Sequence, residues 1–160
     1  MNTASVNVTP TRWLCACLTI AAITLVPIGA AEALDSLPRL ALSLNGRSIL
    51  AEVADTDAAR AQGLSGRRAL AADSGMLFVF DTPGRYAMWM RDTPIALSVA
   101  FLDESGVIIN IADMQPHTLT RHTAARPAKY VLEMNLGWFT EAGVTPGVRV
   151  EGLVATLPVR

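Results

Sequence analysis

The sequence predicts a mainly β domain, a β-sandwich or partly closed barrel with one or two short helices, and three observations carry that expectation. Short apolar runs recur along the chain and are separated by clusters of Gly, Pro, Asn and Asp. One pair of runs flanks Asn45-Gly46, the strongest short-range hairpin signal. Helical character is confined to two brief stretches, so strands must build the core.

The first 33 residues stand apart from this pattern. Arg12 precedes an apolar run from Trp13 to Ile28, and small residues follow through Ala31 and Ala33. That is the layout of a secretory signal peptide, with Ala31-Glu32-Ala33 as the cleavage motif and a mature chain beginning near Leu34. The run also approaches the ~20 residues that span a bilayer, so an uncleaved anchor is the alternative, and a membrane would be met only through such a leader. Both readings predict an exported domain, periplasmic or secreted, occupying residues 34–160. Cys15 and Cys17 lie inside the leader, so the domain itself has no thiol for disulfides, nucleophilic catalysis or metal binding.

Of the 160 residues, 51% are hydrophobic, enough for one packed core without staples. The formal net charge is −1, which argues against nucleic acid as a partner. Every cation except Lys129 and the histidines is an arginine.

Leu40 to Leu44 alternates, and Arg47 to Val53 runs back across a two-residue loop. That register sets Leu42 opposite Ile49 and Leu40 opposite Ala51, so the apolar faces agree. Asp55 or Thr56 can cap a short helix through Ala58 to Ala61, which Gly63 can end before Leu64 turns inward. Residues 75–103 then read as three strands. Met76 to Phe80 is apolar at odd and even positions, as in a strand buried on both faces. Tyr86 to Met90 ends in Arg91-Asp92-Thr93 before Pro94. Ile95 to Leu102 alternates large Ile95, Leu97, Val99 and Phe101 with small Ala96, Ser98 and Ala100.

Asp103 to Gly106 turns the chain into Val107 to Ala112, a second hairpin. Residues 114–129 lack periodicity and carry His117, Arg121, His122, Arg126 and Lys129, a loop long enough to be functional or mobile. Tyr130 to Met134 returns to strand, Gly137 to Ala142 can form a turn or two of helix, and Val148 to Val150 and Leu153 to Leu157 can close the domain.

Arg60, Gly63-Leu64, Arg67, Leu70, Gly75 to Phe80, Trp89-Met90, Thr93, Phe101, Asp103, Gly106, Tyr130 to Glu133 and Gly137 together resemble the domain of unknown function 192 family. The resemblance covers about Leu40 to Val150. It implies a mainly β, sandwich-like fold in small, often exported bacterial and archaeal proteins, and it brings no activity. The chain departs from the family pattern at Asp92, usually Asn; at Met88, usually aromatic; at Ser98, usually acidic; and at Gly147-Val148, usually Gly-Asp.

Three side-chain groups are candidates for function. Trp89, Arg91, Asp92 and Thr93, with Glu133 from a later strand, would make a ligand site in which an indole beside a guanidinium holds a flat or anionic group. The structural alternative places Trp89 in the core and leaves Asp92-Thr93-Pro94 as a turn. Arg60 and Arg67 precede the core strand, where they would clamp carbonyls, pair with Glu133 or Asp103, or converge on a carboxylate. Met88 and Met90, with His117 and His122, are the donors through which monovalent copper would be held, though methionine on a strand is usually core filler. No cofactor is expected. The residues favour an exported accessory domain binding a small molecule or an envelope protein through 89–93 and 114–129. A hydrolase using Asp92 and Glu133 with a loop histidine is the alternative, and no nucleophile elbow, zinc-protease signature or phosphate loop supports it.

Overall fold

The computed structural model describes Met1 and residues 37–153. The expected leader with its cysteines, and residues 154–157 of the expected last strand, lie outside the described residues. β1 (Arg39–Leu44) and β2 (Arg47–Ala54) form the expected hairpin in the expected register, Leu42 opposite Ile49 and Leu40 opposite Ala51. Asn45 and Gly46 take φ of 48° and 77°. Positive φ at both turn residues is what lets a two-residue loop follow the twist of its strands.

Helix α1 (Asp57–Gln62) is capped by Thr56, whose hydroxyl accepts from the Ala59 amide at 3.2 Å. Gly63 ends it with φ of 48°, and a Cβ there would stand 3.3 Å from the Phe78 ring. The positive φ favours glycine there, and the close ring adds to the cost of a side chain. The segment from Asp55 to Asp73 is the crossover that allows β3 (Ser74–Gly84) to lie parallel to β2.

The remaining elements are β4 (Ala87–Met88), β5 (Leu97–Leu102), β6 (Ile108–Met114), β7 (His122–Thr123), β8 (Ala128–Asn135) and α2 (Trp138–Glu141). Six strands make one mixed sheet in the order β1-β2-β3-β8-β5-β6, and β4 pairs with β7 apart from it. The fold is thus mainly β, as the sequence predicts.

Three expectations change in detail. Tyr86 to Met90 does not continue the main sheet: only Ala87–Met88 is strand, and beyond it the Met90 amide donates to the Thr118 carbonyl and the Thr93 amide to the Met90 carbonyl. β5 begins at Leu97 rather than Ile95, after Pro94 has ended any ladder. Val148 to Val150 forms no strand of its own, because the left-handed Gly147 and Gly152 (φ 96° and 94°) confine the extended chain to a few residues. Those residues nonetheless reach both sheet edges, with Arg149 bridged to Val107 beside β6 and Glu151 bridged to Ser43 on β1. These two bridges link the segment to both edges, and among the described residues the six-stranded sheet itself is not closed into a barrel.

Its two faces bury different cores. On one, Leu42, Ile49, Leu77 and Leu132 pack beneath Trp138, Phe139, Val150 and Leu153. On the other, Met76, Phe78, Val99, Phe101 and Val131 are covered by Leu64, Met90 and Ala124. The second face, roofed by α1, loops and the small sheet, holds the candidate site.

Candidate functional site

A cavity of about 470 Å³ opens between α1, the end of β3 and the segment 86–93. Its size falls within the ~300–1,000 Å³ usual for small-molecule sites. Phe78 and Phe80 come from β3, Tyr86 to Trp89 from β4 and its flanks, Arg60 to Ser65 from α1 and its end, and Arg91, Asp92 and Thr93 from the following turn. Glu133 reaches it from β8, where its ladder partners are Met76 on β3 and Val99 on β5.

Glu133 is the unusual member. It is 4% exposed and makes no hydrogen bond or ion pair to any described residue. None of the fully enclosed side-chain polar atoms among the described residues lacks a partner, so the carboxyl oxygens must meet the cavity instead. Burial pushes its pKa up to about 8, since removing a carboxylate from water disfavours the charged form.

Arg60 is a clamp, one of the roles its position suggested. Its guanidinium donates to the Asp55 carbonyl at 2.7 Å, the Val79 carbonyl at 2.6 Å and the Asp57 carboxylate at 2.5 Å. It also lies 5.5 Å from the centroid of Phe80, which stacks on Tyr86 at 3.5 Å. Tyr86 is fixed in turn by donating its hydroxyl to the Thr82 carbonyl.

Arg67 does not join the site. It pairs with Glu52 through two bonds, 3.1 and 2.5 Å, rather than with Glu133 or Asp103. Glu52 stands opposite Met76, on the sheet face crossed by the link that carries Arg67, and therefore meets it. Asp103 instead caps its own turn, accepting from the Ser105 and Val107 amides.

Trp89 is not core, for it is 42% exposed. Arg91 and Arg121 lie 5.9 and 5.4 Å from its ring centroid, and with Leu119 these residues line a second cleft of about 180 Å³. The loop 115–127 therefore reaches the smaller cleft and not the main cavity. It is tied down by the His117 amide donating to the Thr93 carbonyl and the Ala124 amide to the Tyr86 carbonyl. Asp92 sits at φ 55°, a conformation that Asn and Asp tolerate better than most residues, and its carbonyl accepts from Gly66.

Neither His117 nor His122 is among the residues lining the cavity. Met88 and His122 face each other across the β4–β7 ladder, whereas Met90 is buried and His117 exposed. Among the described residues, no three His, Cys, Asp or Glu side chains converge as a metal site.

A family model, DUF192, described as "Uncharacterized ACR", matches residues 40–152. Two solved structures are similar to this chain. One is a candidate transcription regulator from Sinorhizobium meliloti 1021, 36% identical, with a TM-score of 0.70, covering 73% of this chain and 95% of that one. The other is a protein of unknown function from Novosphingobium aromaticivorans DSM 12444, 32% identical, with a TM-score of 0.69, covering 76% and 91%. No curated protein matches the chain.

Proposed function

The chain belongs to the DUF192 family, and from that premise we propose that its domain binds a small molecule in the cavity between α1 and residues 86–93. The observation that carries this reading is Glu133, a buried carboxyl with no partner among the described residues and a cavity in front of it. Buried polar groups are otherwise satisfied in folded proteins, and one left open costs stability that a ligand would recover. The lining supports the same reading. Phe78, Phe80, Tyr86 and Met88 offer apolar surface to a ligand's body, and Asp92 and Thr93 add polar groups from the 89–93 turn. The hydrolase alternative draws less support, since its loop histidine has no place in that lining.

Export belongs to the same proposal, on the leader-like layout of residues 1–33. Fractionation and intact mass should give an envelope protein beginning near Leu34. A full-length cytoplasmic product would overturn that part.

Binding is tested by titrating a fragment mixture into isotopically labelled protein and following backbone amide signals. Shifts should cluster at Gly63, Phe78, Met88 and Glu133. Shifts confined to other surfaces, or none at all, would overturn the cavity reading.

A further inference from the structure

Resting on that reading, we propose that the cavity selects a small organic cation, an ammonium or amidinium carried on an apolar body, with its charged end against Glu133. Three observations point to a cation rather than to an anion or a neutral molecule. The Glu133 carboxyl is buried, unpartnered and open to the cavity, so its oxygens offer acceptors that N–H donors of a ligand can fill. The strands on either side present Met76 and Val99 to it, so neither places a counter-charge directly opposite. Phe78, Phe80, Tyr86 and Trp89 line the cavity, and aromatic faces favour positive charge.

The other charged groups of the lining are accounted for. Arg60 is held by Asp57 and two carbonyls, and Arg91 lies over Trp89. Asp92 adds a second carboxylate to the lining, which favours the approach of a cation. Once ionised, Glu133 would repel an anionic ligand and attract a cationic one, so the preference for a cation strengthens as pH rises.

Burial also makes the proposal measurable. With its pKa pushed up to about 8, the carboxyl carries a proton at neutral pH, and a cation that stabilises the ionised form must release that proton to solvent. Tyr86, Arg60, Arg91 and Asp92 are the other titratable groups lining the cavity.

The experiment compares benzylammonium, benzyl alcohol and phenylacetate, similar in size and different in charge, by calorimetric titration of the purified protein. Benzylammonium should bind most tightly, and its affinity should rise about tenfold per pH unit between about pH 6 and 8, as one proton is released. Glu133→Gln should weaken benzylammonium by more than ~30-fold, remove the pH slope and change benzyl alcohol by less than about threefold. The slope in the parent protein stands as a readout that needs no variant. Benzyl alcohol or phenylacetate binding as tightly as benzylammonium, with Glu133→Gln indifferent, would overturn the cation preference and leave small-molecule binding in place. Failure of all three to bind would overturn the cation proposal, while the fragment titration decides separately whether the cavity binds small molecules.

Discussion

The two faces of the main sheet treat a buried polar side chain in opposite ways. Ser98 stands on the face of Ala100 and Met134, its hydroxyl donating to Asp113 at 2.5 Å and accepting from the Gly137 amide at 2.9 Å. Glu133, one position from Met134 and therefore on the other face, has no such bonds. The first face is sealed by α2 and the C-terminal segment, and its buried Ser98 hydroxyl ties β5 to β6 and to the approach of α2. The second is roofed by a six-residue helix and loops, and it keeps both a cavity and an acid that opens onto it. The sealed core and the cavity thus lie on opposite sides of the sheet, and a single strand, β8, contributes to both in alternate residues.

The comparison breaks most easily at the sealed face. Leu132, fully buried between Leu77 and Ala100, should cost roughly 2–5 kcal/mol when cut to alanine, read as a shift in the urea midpoint. Met88→Ala, in the cavity wall, should cost about 1 kcal/mol or less, since the wall already borders open space. Equal losses at the two sites would mean that both faces are packed alike. Ser98→Ala should cost roughly 1–3 kcal/mol, because it strips a partner from the Asp113 carboxylate and from the Gly137 amide. The smallest effect belongs to Asp92→Asn. Asparagine accepts the φ of 55° as readily and removes only an exposed charge, so thermal melts should agree within about 0.5 kcal/mol.

Much of this fold is legible in the sequence because its signals are local. Alternation about Asn45-Gly46 sets the first hairpin and its register, and Thr56 with Gly63 brackets α1. Of the doubly apolar Met76 to Phe80, Met76 to Phe78 is buried on both sides and Val79 and Phe80 are half-buried. What periodicity does not encode is long-range order. β8, from residues 128–135, inserts between β3 and β5, which follow each other closely in the chain and never pair. No local pattern announces that choice, since it is settled by which buried strand best covers the others. The same holds for the site. Trp89, Arg91, Asp92, Thr93, Arg60 and Glu133 do line one cavity, while Arg67 is taken by Glu52, a partner fixed by sheet register rather than by spacing. The solitude of Glu133 had one sequence signal. A lone acid inside Tyr130-Val131-Leu132-Glu133-Met134 sits where a strand is buried on both faces and has nowhere polar to go.

Whether Glu133 stands unpartnered in the folded protein can be read from the pH dependence of stability. Burial raises the carboxyl from its ordinary 4.5 to about 8 in the folded protein. Between those values the folded state keeps a proton that the unfolded chain has lost, so this group's contribution is whole below the ordinary value and disappears as pH rises through the folded one. Urea unfolding of the parent and of Glu133→Gln, from about pH 5 to pH 8, isolates the group, because all other titrations cancel in the difference. The two should have similar stability near pH 5, and the variant should then gain on the parent by about 1.4 kcal/mol per pH unit. A difference that stays constant across the range would contradict the account, for it would mean that Glu133 is already ionised and partnered in the folded protein.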